Sequence, residues 1–337
     1  MIAESIKKVV GGENLGRDEM HEVFGEIMDG KASDIQKSGF LVALRMKGET
    51  VEEITGAAMA MRERVVPLGI EAEGLIDTCG TGGDGRGTFN ISTVSAFVAA
   101  GAGARVAKHG NHAVSSSCGS ADVLTALGVN IDIDARRVNE VLHEVGISFL
   151  FAPRLHPAMA SMAAVRRDLG VRTIFNLLGP LTNPAFAQSQ VVGVYASDLV
   201  RTVAEVLRAL GSRHALVVHS LDGLDEISIS APTEICELKN GEINCYRVTP
   251  EELGLRSYPL ETILGGDSKA NARIAKAVLR GGEGAVRDVV LANAAAALYV
   301  SGSVTSLAEG VTASRESIDS GSAMGKLKEL IQATNAQ

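Results

Sequence analysis

At 337 residues the chain is long enough to bury a large core, and its length suggests two domains or one large one. A hydrophobic content of 46% is that of a globular protein, while 4% aromatics, no tryptophan and a net charge of −8 argue against a nucleic-acid surface, because bases stack on rings and phosphate backbones reward a basic face. Four cysteines, Cys79, Cys118, Cys236 and Cys245, form no CxxC pair, so neither a zinc ribbon nor a disulfide framework is expected, and the usage fits a reducing cytoplasm.

The N-terminal stretch MIAESIKKVVGGENLG lacks the long apolar core of a secretion signal. Up to about residue 65 the pattern is helical only. Ser33-Asp34-Ile35-Gln36 and Thr50-Val51-Glu52-Glu53 are capping-box patterns, in which the hydroxyl covers a free N–H and the Gln or Glu reaches back. They precede the helically spaced runs FLVALRM and ITGAAMAMRERV, the second stopped by Pro67. From Leu75 short β-rich runs (LIDTC, ARVAKHG, ISFLFAP, QVVGVYA, HALVVHS) alternate with helical stretches such as ARRVNEVLHEVG and SDLVRTVAEVLRALG. Alternation of this kind predicts a mainly parallel sheet with helices on its faces. ICELKNGEINCYRV then reads as a hairpin about an Asn-Gly turn. Closing helices are expected over 268–279 and 284–300, with more after Thr305. The longest apolar run, VVLANAAAALYVSG, is shorter than the roughly 20 residues needed to cross a bilayer. The expected architecture is α/β, with a small helical domain at 1–68, joined by helices from about 165–185, and a larger α/β domain at 69–337.

Glycine fills five of the first eight positions of GTGGDGRGTFNIST (80–93), which links the LIDTC strand to a helix start. Backbone amides in such a loop approach an anion closely, and the helix start adds unpaired N–H groups, so a phosphate-bearing ligand is the first expectation. The loop matches G-x-G-x-x-G, but a dinucleotide site also wants an acid about 20 residues on. Lys108 and His109 stand there instead, and the G-K-[ST] of a P-loop is missing. KHGNHAVSSSCGSAD (108–122) supplies a lysine, an amide and a run of hydroxyls, all donors suited to phosphate. Asp84 in the loop and Asp225-Glu226 in HSLDGLDEIS would repel a polyphosphate unless a cation lay between, which points to magnesium. His109 and His112 have no third ligand at metal spacing, so zinc is not expected. Arg154, Arg166, Arg167 and Arg172 crowd the segment RLHPAMASMAAVRRDLGVRTIFNLLGPLTNP, where one aimed into a cleft could clamp a carboxylate.

The motifs GTGGD, NIST, KHGN, GSAD, HPAM, VRTIFNLLGPLTNP and DGLDE, in this order and spacing, resemble the anthranilate phosphoribosyltransferase family, and the likeness runs to about Gly325. The resemblance implies the nucleoside-phosphorylase-like transferase fold, a homodimer contacting through the helical domain, and hinge closure over a cleft. It also implies transfer of a phosphoribosyl group from 5-phosphoribosyl 1-pyrophosphate to the amine of anthranilate. On that basis Gly80, Gly83, Asp84, Thr88, Asn90, Ile91, Ser92 and Thr93 would hold the pyrophosphate substrate. Lys108, which would also act catalytically, continues that site with His109, Gly110, Asn111, His112, Ala113, Val114, Ser115, Ser116 and Ser120. Asp225 and Glu226, with Ser92, would ligate magnesium, two ions per subunit, and Gly80, Asn111 and Arg166 would meet anthranilate, Arg166 near its carboxylate. His112 stands where the family commonly has Arg, and Cys118 where it commonly has Ser. A pyrimidine nucleoside phosphorylase, sharing the architecture and a similar lysine–serine segment, is the nearest alternative. A catalytically silent nucleic-acid-binding relative is a more distant one, disfavoured by the charge and the intact acidic pair.

Overall fold

The computed structural model describes residues 1–113 and 117–336. Four helices open the chain: α1 (Ile2–Val10), α2 (Arg17–Met28), α3 (Asp34–Lys47) and α4 (Val51–Arg62). Both expected capping boxes form, at Ser33/Gln36 and at Thr50/Glu53. The second is more than a cap. Glu53 is fully buried, and its carboxylate also accepts from Leu15 N at 2.9 Å and from Lys47 Nζ at 2.9 Å, so one side chain ties three segments of the helical unit together.

Seven strands follow: β1 (Leu75–Asp77), β2 (Arg105–Gly110), β3 (Ile147–Phe151), β4 (Ser189–Gly193), β5 (His214–Ser220), β6 (Thr233–Lys239) and β7 (Glu242–Val248). They form one sheet in the order β3-β2-β1-β4-β5-β6-β7. The first five are parallel, and β6 and β7 add an antiparallel edge. The order reverses between β1 and β4, and ligands of such sheets sit outside the carboxyl ends of the strands at that switch. The glycine loop springs from β1 at this point. It feeds α5 (Ile91–Gly101), while β2 leads to α6 (Ser120–Leu127) and then α7 (Ala135–Val145).

Apolar side chains pack on both faces of the sheet. One cluster joins α5, α6 and the closing helices Ser268–Leu279 and Ala285–Ser301, which lie where the sequence pattern puts them. A second joins α1–α4 to Met162, Val165, Phe175 and Leu178 and to residues of β4 and β5, so the helical unit shares its core with the 160–181 segment, and a third, smaller one sits between β1, β2, β3 and α7. Among the described residues no helix is long and apolar enough to cross a membrane.

One expectation needs correcting. Cys236 and Cys245 are directly opposed across the β6–β7 hairpin, their Cα atoms 4.1 Å apart, and they are joined as a disulfide. The spacing carries no CxxC signature; the pair is made by the register that the Asn240-Gly241 turn imposes, Asn240 taking φ 51°. The cysteines therefore do not argue for a reducing compartment.

Candidate active site

The glycine loop is anchored at both ends of its path. Thr81 N donates to Gly193 O at 2.8 Å, and Gly265 N donates to Gly87 O at 2.9 Å. Gly82 and Gly83 take φ of 63° and 79°, a backbone that side-chain-bearing residues rarely adopt. Gly193 is required for a different reason: a Cβ there would lie 1.5 Å from the Asp225 carbonyl oxygen, so the end of β4 and the DGLDE loop touch through bare backbone. Asn90 gives α5 no side-chain cap, and within the first turn Ile91 N and Thr93 N turn back to the Phe89 and Asn90 carbonyls, which leaves the Ser92 amide to reach a partner from elsewhere in the chain. Ser92 N donates to Glu226 Oε1 at 3.1 Å.

Asp84, Asp225 and Glu226 lie near enough for their charges to act on one another, although their oxygens do not gather within 4.8 Å as the ligand atoms of Asp77, Cys79 and His109 do. Asp84 and Asp225 face each other at hydrogen-bonding range, and Glu226 is close enough to repel Asp225. Burial holds the Asp225 carboxyl well above the usual carboxylate range, and the charges of Asp84 and Glu226 push it further. Glu226 is pushed up to about 7, chiefly by burial, against the pull of Lys108 and hydrogen bonds from Ser92. Among the described residues no protein donor reaches Asp84 Oδ2. Crowded carboxyls with an orphaned oxygen fit a hard divalent cation, which takes oxygen ligands and a few carboxylates. A small crevice of about 10 Å³, room for roughly one water, lies beside them, lined by Thr78, Gly80, Ser92, Ser95, Gly193 and Glu226 among others. Asn293, from the helix 285–301, grips the backbone just after Glu226 through Ile227 N and Ile227 O, each at 2.9 Å.

Lys108 and His109 are adjacent on β2 and so point to opposite faces. Lys108 is buried and donates to Thr78 O (3.1 Å), Thr78 Oγ1 (3.2 Å) and Ser92 Oγ (3.3 Å). Its charge thus sits at the base of the loop and beside Glu226. The His109 ring lies on the other side, its Nδ1 3.0 Å from Gly179 O and its ring 5.1 Å from that of His156. Burial pushes His109 down to about 3 and His156 to about 4, so both imidazoles are neutral. Asp77, Cys79 and His109 bring one ligand atom each within 4.8 Å. That trio makes a poor cation site. The Asp77 oxygens already accept from His109 N (3.1 Å) and Asn183 Nδ2 (2.7 Å), and the Lys108 charge is near.

The remaining expected residues divide. Asn90 has both ends of its amide engaged, Nδ2 donating to Cys118 O at 3.1 Å and Oδ1 accepting from Asn271 at 2.9 Å, so its side chain acts as a strut. Ile91 and Thr93 are buried in α5, and Thr88 lies on the loop edge. Gly110, Asn111 and Ser120 form one tight corner, where Ser120 Oγ donates to Asn111 O at 3.3 Å. His112 pairs with Asp122 at 2.6 Å, and Asp122 in turn accepts from Ala113 N and Gly119 N. Val114, Ser115 and Ser116 lie outside the described residues.

The four arginines also separate. Arg154 pairs with Asp132, and Arg167 with Asp168 at 3.3 Å, both on the surface. Arg166 is partly buried 5.4 Å from the Phe175 ring centroid, and burial lowers its pKa with no acid to offset it. Arg172 lies 4.4 Å from the Tyr195 ring centroid and donates to Gly83 O. Sequence reasoning passed over Asp77, Asn183, Tyr195, Asn271 and Asn293. Their roles depend on partners far along the chain; of these five, Asn183 alone lies in a motif that carries the family resemblance, VRTIFNLLGPLTNP.

Comparison with known proteins fits this geometry. A family model described as the glycosyl transferase family, a/b domain, matches residues 72–324, and one described as the helical bundle domain matches 3–65. An anthranilate phosphoribosyltransferase of Anaeromyxobacter dehalogenans (strain 2CP-C) is 57% identical over 99% of both chains. The chain belongs to the anthranilate phosphoribosyltransferase family. A second relative of that description, from Clostridium kluyveri, is 49% identical over 99% of this chain and 100% of its own. Among solved structures, the enzyme of Thermus thermophilus is 44% identical, covers 98% of this chain and 99% of its own, and superposes with a TM-score of 0.94. The Saccharomyces cerevisiae enzyme, solved in complex with PRPP and Mg, is 28% identical, covers 100% of this chain and 98% of its own, and has a TM-score of 0.90.

Proposed function

We propose that this chain transfers the phosphoribosyl group of 5-phosphoribosyl 1-pyrophosphate to the amine of anthranilate, releasing pyrophosphate, as a step of tryptophan biosynthesis. The observation that carries the reading is the convergence of the glycine loop, the start of α5 with its Ser92 amide on Glu226, and the mutually repelling Asp84, Asp225 and Glu226 at the β1/β4 switch point. Such a site suits a diphosphate held through a divalent cation. Gly80, Gly83, Asp84, Thr88 and the Asn90–Thr93 turn would line the diphosphate and ribose, with Lys108, Asn111, His112 and Ser120 continuing from β2. Asp225, Glu226 and Ser92 would hold magnesium, two ions per subunit, and Asp84 joins them by position. When bound, magnesium neutralises charge growing on the departing pyrophosphate.

The residues of the chain do the rest. Loop amides and the Lys108 charge face the developing anion, an electrostatic arrangement that needs no rearrangement during reaction. Arg166, half-buried and without an acid among the described residues, is the natural partner for the anthranilate carboxylate, with Asn111 and Gly80 beside it in the same reading. The aniline lone pair is free at neutral pH, so holding it against the anomeric carbon is the main requirement and no general base is assigned. Closure of the helical unit over the cleft would exclude water.

The chain is read as a cytoplasmic homodimer. Ile35 and Met46, on α3, are 86% and 84% exposed, which leaves apolar surface on the helical unit for a second copy. Sedimentation of the wild type and of Ile35→Arg with Met46→Arg checks this: dimer and monomer respectively are expected, and a monomeric wild type contradicts it.

The functional test is direct. Protein, magnesium, phosphoribosyl pyrophosphate and anthranilate should together cause loss of anthranilate fluorescence, with phosphoribosyl anthranilate formed. Phosphorolysis of thymidine or uridine in place of this reaction would favour a nucleoside phosphorylase.

A further inference from the structure

We propose that Arg172 is a positioning residue that braces the glycine loop from the segment carrying Arg166, using Tyr195 as its platform. The inference rests on the phosphoribosyl-transfer reading above. Arg172 follows Gly170, which ends the helix Ala160–Leu169 at φ 60°, and precedes the helix Phe175–Leu181. From this exposed link its guanidinium donates to Gly83 O. The central carbon of the same group lies over the Tyr195 ring, 4.4 Å from its centroid and within cation–π range. Tyr195 is itself fixed, two residues beyond the end of β4, where Val194 N bonds Val218 O at 3.0 Å.

The contact has a specific consequence. Gly83 O and the amide of Asp84 belong to one planar peptide unit, so holding the carbonyl sets the direction of the Asp84 N–H. Gly82 and Gly83 have no side chains to restrain that plane, and glycine-rich backbone loses the most entropy when ordered. An external brace therefore lowers the ordering cost that a bound diphosphate must overcome. Among the described residues Arg172 has no carboxylate ion pair, unlike Arg154 and Arg167 of the same segment. Its link from the Arg166 segment to the phosphate loop also connects the two substrate halves of the cleft physically.

The test measures binding of magnesium–phosphoribosyl pyrophosphate by calorimetry without anthranilate, with steady-state kinetics and thermal melts on the same samples. Arg172→Ala should raise Kd and KM for phosphoribosyl pyrophosphate about five- to tenfold, with KM for anthranilate within about twofold of wild type. Tyr195→Leu should give a smaller rise, and the double variant should be no worse than Arg172→Ala, because the two side chains act as one unit. Arg172→Lys, which keeps a donor and a charge but loses the flat stacking face, should recover part of the affinity. Wild-type affinity in Arg172→Ala, or additive losses in the double variant, would overturn the inference. Failure of the wild type to bind phosphoribosyl pyrophosphate would overturn the functional reading instead.

Discussion

Asp84 and Asp225 face each other at hydrogen-bonding range although one lies in the glycine loop after β1 and the other beyond the end of β5. Two carboxyls in that position repel as anions, and Glu226 adds a third. The contact is possible because Gly193 lets the backbone of the acidic loop come down onto the end of β4.

That close approach makes Gly193→Ala a sharp test of the architecture. A methyl group 1.5 Å from the Asp225 carbonyl oxygen forces backbone movement and cannot be absorbed by a rotamer change. Loss of about 3 kcal/mol or more of stability is expected, at the upper end of overpacking costs, with activity falling as the acids move. Urea unfolding read by circular dichroism measures it, and an unchanged midpoint would show that the loop is not packed as described.

Lys108→Met keeps most of the aliphatic bulk and removes the ammonium that bonds Thr78 and Ser92. Turnover should fall at least tenfold, about 1.4 kcal/mol in the barrier. Equal kcat in the variant at saturating substrates would remove Lys108 from the electrostatic account.

For Arg166→Ala the larger penalty should fall on KM for anthranilate, since the guanidinium is half-buried beside Phe175 with no acid of its own among the described residues. A change confined to phosphoribosyl pyrophosphate saturation would place Arg166 on the wrong substrate.

The His109–His156 pair gives a pH dependence of definite sign. Burial depresses both imidazoles, to about 3 and about 4, below the ordinary value near 6.5. The unfolded chain therefore takes up these protons first on acidification. The stability contribution is full above about pH 6.5 and is lost as pH falls toward the folded values, for His156 by on the order of 2 kcal/mol at pH 5. Thermal melts at pH 7.5 and 5.0 should show a smaller acid loss in His156→Leu than in wild type. Parallel losses in the two proteins would contradict the assignment.

The helical caps, all seven strands and the hairpin turn were legible because each depends on residues close in sequence, as at Thr50/Glu53 and Asn240-Gly241. The site was legible where a motif carries its own chemistry, as in the glycine loop and the Asp225-Glu226 pair. Its struts were not. Asn271 serves Asn90, Asn183 serves Asp77 and Arg172 serves Gly83, all across large sequence separations that only the sheet order closes. The Cys236–Cys245 bond escaped for the same reason, since strand register rather than spacing brings the sulfurs together. Surface charge counts were similarly uninformative about which arginine turns inward.

The central claim is that the glycine loop and its carboxyls hold a sugar diphosphate through a divalent ion. Calorimetric titration of phosphoribosyl pyrophosphate into the protein, with magnesium and then with EDTA, measures this most directly. Binding should be strong with magnesium, at least tenfold weaker in EDTA, and similarly weakened in Asp225→Asn with Glu226→Gln even when magnesium is present. Equal affinity in all three conditions would contradict the account.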